Sequence, residues 1–329
     1  MDIRVLNAHE IRQALPMTAA VEAMKEAFAQ YSTDQASVPL RSRIEVPQHE
    51  GVTLFMPAYL HTSQDMAVKI VSVFPRNMEK DFATIYAVVV ALDAETGRPI
   101  ALMEGASLTA IRTGAASGAA TDLLARPESK TVAVFGSGAQ ARTQLEAVCT
   151  VREIEKVWVY SLDETGIQIF VEDLTGMGPI PTDIEVVANP AQAVSGADII
   201  CTATTSSTPV FDANDLKSGT HINAIGAFTP EMQEVDSETV RRSLLVVDSR
   251  EACLAEAGDI IIPVRTGQIA ESHIHAELGE IVAGTKPGRS DPDQITLFKS
   301  VGIAVQDAVA ASRALMGAKS DEIGQIIAL

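Results

Sequence analysis

Thr131-Val132-Ala133-Val134-Phe135-Gly136-Ser137-Gly138-Ala139-Gln140-Ala141 decides how this chain is read. A short apolar run, Val132–Phe135, has strand length and ends at Gly136. A helix-favouring stretch, Ala139 to Val148, follows at once. The result is Gly-x-Gly-x-x-Ala at a strand-to-helix turn. Gly136 permits the tight turn, Gly138 lets backbone approach a pyrophosphate, and Ala141 keeps helix and strand close. The helix N-terminus adds unpaired N–H groups and a positive dipole end. The motif predicts a dinucleotide site with Gly136, Ser137, Gly138, Ala139 and Gln140 as cofactor-binding residues.

The rhythm downstream agrees. Val157–Tyr160, Ile184–Val187, Ile199–Ala203, His221–Ile225 and Leu244–Val247 are strand-length apolar runs divided by short helical or turn-rich segments. Continuous apolar runs mark strands buried on both faces, and their alternation with helices predicts a parallel, doubly wound Rossmann sheet. Upstream the pattern is mixed. Val21, Met24, Phe28 and Tyr31 recur at helical spacing behind Pro16, Val68–Val73 and Ile85–Val90 are β-rich, and Asp93–Pro99 is turn chemistry. Glu104 to Arg126 is dense in small residues and suits a tightly packed helix, and Arg126-Pro127-Glu128-Ser129 then reads as a linker. Gln294 to Met316 reads as one long helix returning to the first domain. The expectation is an α/β protein: a dinucleotide-binding domain over residues 126–299, and an α+β domain over 1–125 with 300–329.

Which dinucleotide is bound turns on the strand after the glycines. It ends at Ser161, where an NAD enzyme places an acid on the ribose 2′-hydroxyl. Ser161 removes the carboxylate that would repel a 2′-phosphate, although Asp163 stands two residues on. Arg142 is the nearest cation in sequence. The balance tilts toward NADP over NAD.

Composition excludes whole classes of partner. Among 329 residues, 43 Asp and Glu outnumber 25 Lys and Arg, for a formal charge of −18. The cations are scattered singly, whereas nucleic acid and anionic lipid require them clustered. Apolar residues at 47% and charged ones at 21% describe an ordinary globular chain. Cys149, Cys201 and Cys253 are too few and too dispersed for a disulfide framework and read as small buried hydrophobes. The N-terminus carries charge from its second residue and lacks the apolar core of a signal peptide, and no run of 18 apolar residues occurs, so a cytoplasmic protein is expected.

Two cations stand out because their neighbours are apolar: Lys69 within Val68–Val73, and Arg112 within the small-residue helix. Either each is a structural ion pair or a snorkelling side chain, or both hold an anionic group, Arg as a planar fork and Lys as a point charge. His273-x-His275 has the spacing of one strand face but reads as a surface or supporting pair, and no metal is expected. His221 reads as a hydrogen-bonded core residue and Asp307 as structural.

Phe55-Met-Pro-Ala-Tyr59, Val68-Lys69-Ile-Val, Leu108-Thr-Ala-Ile-Arg112-Thr-Gly, Gly136-Ser-Gly-Ala-Gln140, Gly219-Thr-His-Ile-Asn-Ala-Ile-Gly226, Glu277-Leu-Gly-Glu-Ile-Val-Ala-Gly284 and Phe298-Lys-Ser-Val-Gly302 occur in this order. With these stretches the chain closely resembles the ornithine cyclodeaminase/μ-crystallin family. The resemblance implies a homodimer whose first domain, joined by the C-terminal helix, binds substrate and dimerises. It also implies that Arg43, Lys69 and Arg112 grip the substrate carboxylate and that Thr84 and Thr113 lie near nicotinamide and substrate. Thr202, Ala203 and Thr204 would cover adenosine and ribose, and Ser300, Val301 and Gly302 would flank the nicotinamide. Two positions depart from the cyclodeaminase pattern: Phe228 and Leu54 stand where those enzymes carry acids. Without two carboxylates suited to moving protons to and from amine and water, hydride transfer to an existing C=N bond is favoured. The resemblance thus implies an NAD(P)-dependent oxidoreductase acting on a cyclic imine such as pyrroline-2-carboxylate. The alternatives are, in order, an amino-acid dehydrogenase, an ornithine cyclodeaminase and a non-catalytic μ-crystallin-like binding protein.

Overall fold

Residues 1–39 and 41–329 are described by the structure, a computed structural model. They form two compact units, Met1–Arg112 with Ala304–Leu329, and Thr113–Ile303.

The first unit begins with β1 (Asp2–Leu6), α1 (Ala8–Ala14) and α2 (Met17–Ser32). Asn7 and Glu10 close a reciprocal cap on α1, and Pro16 sits at the α2 N-cap, where its missing N–H removes no helical bond. The strands β2 (Ala36–Ser37), β3 (Ser42–Val46), β4 (Gly51–Leu60), β5 (Met66–Val73), β6 (Ile85–Leu92) and β7 (Pro99–Glu104) follow. After β7 the chain enters α3 (Gly105–Leu124), in which Ala115, Ala116, Ala119 and Ala120 are all fully buried. A helix of small residues packed on every side is what that composition permits. The division between units falls inside α3, at Arg112/Thr113, rather than at the Arg126 linker.

The second unit holds β8 (Thr131–Phe135), α4 (Ala139–Val151), β9 (Lys156–Tyr160), α5 (Glu164–Leu174), β10 (Ile184–Val186), α6 (Pro190–Gly196), β11 (Ile199–Thr202), β12 (His221–Ala224), α7 (Ser237–Arg242), β13 (Leu244–Val247), α8 (Arg250–Glu256), α9 (Gly258–Arg265), β14 (Ile274–Glu277), α10 (Leu278–Val282) and β15 (Thr296–Lys299). Its eight strands run in the order β10-β9-β8-β11-β12-β15-β13-β14, and every pairing is parallel. Strand order reverses between β8 and β11, which makes the carboxyl ends of those two strands the expected ligand edge of such a sheet.

One expectation fails here. Residues 294–316 do not form a single helix, because Thr296-Leu-Phe-Lys299 is a fully buried strand between β12 and β13. Gly302, at φ +85°, then turns the chain into α11 (Ala304–Ser320), and β16 (Gln325–Ala328) returns antiparallel to β1. The first unit's sheet therefore runs β16-β1-β7-β6-β5-β4-β2, with β3 also on β4, and α11 packs on α2 and across β4 and β5. Among the described residues no helix is long and apolar enough to cross a membrane.

Candidate functional site

The first unit buries two cations around one carboxylate. Alternation along β5 turns Ala67 and Lys69 inward, and α11 lies across that strand with Asp307 on its first turn. Lys69 Nζ stands 2.6 Å from Asp307 Oδ2, and Arg112 Nε donates to Asp307 Oδ1 at 3.0 Å. Arg112 Nη1 also donates to Gln306 Oε1 at 3.0 Å. All four side chains are buried. Asp307, read from sequence as structural, is thus the hinge of the cluster.

Burial pushes the Lys69 ammonium down to about 8, and the charges of Arg112 and Arg41 push the same way against the opposing pull of Asp307. Burial alone would raise the Asp307 carboxyl, but Arg112 and Lys69 outweigh it and hold it below the usual carboxylate range. Two buried cations therefore share a single carboxylate, and the charge of Arg41 also reaches Lys69. Two cations on one carboxylate leave positive charge unmatched within this group, which is chemically compatible with an anionic group, and an ammonium held at about 8 can exchange a proton close to neutrality.

Of the three cations expected from sequence, the structure brings Lys69 and Arg112 together and places Arg43 apart from them. Arg43 is 61% exposed at its side chain and pairs with Glu45 at 3.1 Å on the surface. Register explains why. Ser42 lies opposite Phe55 and Arg43 opposite Leu54, while Lys69 lies opposite Met56. Arg41 lies immediately before β3, and it, rather than Arg43, is the arginine of this segment whose charge acts on the Lys69 ammonium. Thr84 is half-buried in the turn before β6, beyond the Val73–Ile85 pair and several register steps from Lys69. Its carbonyl accepts from Phe74 N–H at 2.8 Å.

In the second unit the glycine turn has the shape its sequence predicts. Gly136 adopts φ +108°, and a Cβ there would meet the Ala203 carbonyl oxygen at 2.6 Å. Only glycine tolerates both constraints. Gly138 is the N-cap of α4 without any side-chain cap, and a Cβ on it would project into open space. An uncapped helix N-terminus facing room for a ligand fits a pyrophosphate. Ala141 is fully buried.

Nearby polar groups are already engaged. Ser137 and Ser161 share a hydrogen bond of 3.1 Å, and the Ser161 hydroxyl accepts from Asp163 N–H. Asp163 itself caps α5 through Gly166 N–H. Arg142, the cation offered for a 2′-phosphate, pairs with Asp173 at 2.8 Å and lies over the Phe170 ring. Thr113 is buried in α3, where its carbonyl accepts from Gln144 Nε2 at 3.2 Å, and Phe228 is 51% exposed in the loop after β12.

Three loops at the strands' carboxyl ends rest on buried acids that the sequence did not single out. Glu234 gathers donors from Thr202, Thr204, Gly226 and Ala227. Asp248 Oδ2 accepts from Ser300 Oγ at 2.7 Å, Val301 N at 2.9 Å and Gly302 N at 2.7 Å. Both acids sit outside periodic segments, so no spacing marks them. His221 is a core residue, as expected: it bonds Thr296 and Asn223, and burial drives its pKa down to about 3. His273 and His275 bond the carbonyls of Val240 and Pro287. No group of three or more metal-ligating side chains occurs among the described residues.

The sequence matches the ornithine cyclodeaminase/mu-crystallin family over residues 1–319. The Thermococcus litoralis Δ(1)-pyrroline-2-carboxylate reductase, solved with NADH and L-proline, is 45% identical and superposes with a TM-score of 0.92 over 98% of this chain and 99% of its own. A Bacillus cereus Δ(1)-pyrroline-2-carboxylate reductase is 41% identical over 308 residues, 93% of this chain and 94% of its own. An archaeal alanine dehydrogenase dimer with bound NAD is 35% identical, with a TM-score of 0.90 over the whole of both chains.

Proposed function

We propose, for a chain that belongs to the ornithine cyclodeaminase/mu-crystallin family, that it reduces a cyclic α-imino acid of the pyrroline-2-carboxylate type to the L-amino acid. The observation that carries this reading is the surplus of cations around Asp307. Arg112 and Arg41 hold the substrate carboxylate, and Lys69 delivers a proton to the ring nitrogen. Asp307 keeps the Lys69 ammonium charged in a buried setting and fixes its direction. The pyrophosphate of the dinucleotide is held by the Gly136–Gln140 turn and the α4 N-terminus. Bound there, reduced nicotinamide supplies the hydride.

The cofactor is NADH rather than the NADP favoured by sequence. Arg142 is committed to Asp173 and Phe170, which removes the cation that would meet a 2′-phosphate. The complexes of the two similar structures contain NADH and NAD. Oxidative deamination of an open-chain amino acid is less well served, because it requires a base to activate water. Asp307 is a weak base, and Leu54 and Phe228 stand where the resemblance implies that cyclodeaminases carry acids.

Assembly is a homodimer built on the first unit. Met78, Phe82, Ile85, Tyr86 and Leu102 expose apolar surface on and beside its sheet, as an interface between copies requires. The decisive experiment follows nicotinamide absorbance with NADH and Δ1-pyrroline-2-carboxylate. Consumption of NADH with formation of proline is the expected result. Turnover of ornithine to proline with ammonia released and no net cofactor change would overturn it.

A further inference from the structure

A fully buried carboxylate in the second unit collects more donors than its own segment needs. Glu234 Oε1 accepts from Thr204 N at 2.6 Å and Thr204 Oγ1 at 2.7 Å. Its Oε2 accepts from Thr202 Oγ1 at 2.9 Å, Gly226 N at 2.6 Å and Ala227 N at 3.1 Å. Three of these donors are backbone amides, which can only donate, so the group they surround is an acceptor on both oxygens. None of the five belongs to the segment that carries Glu234. One comes from Thr202 at the end of β11, two from Thr204 in the loop after it, and two from Gly226 and Ala227 in the loop that follows β12.

The acid is in turn held from behind. Asp259 Oδ1 accepts from the Glu234 and Val235 amides at 2.7 and 3.0 Å, and Asp259 Oδ2 stands 2.9 Å from Lys299 Nζ. All three charged side chains are completely inaccessible. Burying a carboxylate is expensive unless it is fully bonded, and an apolar side chain would fill the same space at lower cost. What only a carboxylate can do here is fix two backbone loops against each other. Gly226 shows how close they come, since a Cβ there would run into Thr204 and into Glu234 Oε1. These loops leave the carboxyl ends of β11 and β12, beside the Gly136 turn, at the edge where strand order reverses.

We propose that Glu234 is a positioning residue for the dinucleotide: from inside the fold it sets the backbone of residues 202–204 and 226–227, against which the bound nucleotide rests. Asp259 and Lys299 hold Glu234 in place, and none of the three touches the ligand. The inference rests on the reading that the dinucleotide lies along this edge.

The test is calorimetric titration of NADH into the wild-type protein, Glu234→Gln and Thr202→Val, with steady-state kinetics alongside. In Glu234→Gln an NH2 group replaces one acceptor and faces amide donors. The Kd for NADH is expected to rise about tenfold or more, as for the loss of a charge-assisted bond with a donor left unpaired. At saturating NADH, kcat and the KM for the imine stay within about twofold of wild type, because the cationic cluster is untouched. Thr202→Val keeps shape and removes one bond to Glu234 from a side chain that is completely inaccessible to solvent, so the Kd should rise about threefold. A folded Glu234→Gln that binds NADH with unchanged Kd overturns the proposal, since a purely structural role lowers the melting temperature and leaves the Kd of the folded protein alone. If Glu234→Gln does not fold, Thr202→Val decides by the same criterion. Wild-type protein that fails to bind NADH overturns the dinucleotide reading itself, and the inference with it.

Discussion

Each unit buries a lysine beside an aspartate, and the two lysines behave oppositely. Lys69, with Asp307, is pushed down to about 8 by burial and by Arg112 and Arg41. Lys299, with Asp259, loses to burial first but is carried above its ordinary value by Asp259 and Glu234. The difference is one of local count. Around Asp307 two cations meet one carboxylate, so the cluster has charge to offer an anion and its lysine can give up a proton. Around Lys299 carboxylates are in excess and saturated by loop donors, so that cluster wants nothing further. The first arrangement is suited to chemistry and the second to bracing.

The comparison breaks if the two lysines respond alike to removal. Lys69→Met should lower kcat for imine reduction by about 10²- to 10⁴-fold, the range for losing a positioned general acid, while NADH titrations stay normal. Lys299→Met should instead show in denaturant melts, as a loss of about 3–5 kcal/mol, because it strands two buried carboxylates. The stability loss in Lys69→Met should be the smaller of the two, since Asp307 keeps Arg112.

Arg112→Ala should raise the KM for the carboxylated substrate about tenfold to a hundredfold with a smaller change in kcat, as expected for a lost bidentate charge contact. Unchanged kinetics would remove Arg112 from the carboxylate clamp. The smallest effects separate Arg41 from Arg43. Arg41→Ala should raise the same KM several-fold, whereas Arg43→Ala, an exposed pair with Glu45, should change it by less than about twofold.

The sign of the pH dependence separates the lysines as well. Between about 8 and its unfolded value, Lys69 binds fewer protons in the fold than in the unfolded chain, so its contribution to stability rises with pH there. Lys299 has the raised value, so it contributes stability at lower pH that is lost as pH climbs through its folded pKa. Denaturant melts of the two methionine variants against wild type, at neutral and alkaline pH, should show these opposite trends.

The second unit was legible because its signals are local. Val132–Phe135, Gly136 and Ala141 are neighbours in sequence and neighbours in space. The first unit was legible only in part. Lys69 and Arg112 announced themselves as charges in apolar runs, but their partner Asp307 lies 195 residues from Arg112, on a helix whose start the sequence placed wrongly. The buried strand Thr296–Lys299 looked like part of that helix, since four residues cannot show a period of two against 3.6. Arg41 and Arg43 stand two residues apart in sequence, and only the fold tells which of their charges acts on Lys69. Glu234 and Asp248 sit where no periodicity exists, and their meaning comes wholly from the loops they bond.

The central claim is that Lys69 is a titrating proton donor within a cationic cluster. The most direct measurement is kcat/KM for NADH-dependent reduction of Δ1-pyrroline-2-carboxylate from neutral to alkaline pH, in wild type and in Lys69→Met. The account predicts a wild-type rate that falls above about pH 8, where Lys69 gives up its proton, and a variant whose low residual rate lacks that limb. The reverse reaction, oxidation of L-proline, should rise through the same pH. A limb near 8 that survives in Lys69→Met, or a wild-type rate flat across that range, would contradict it.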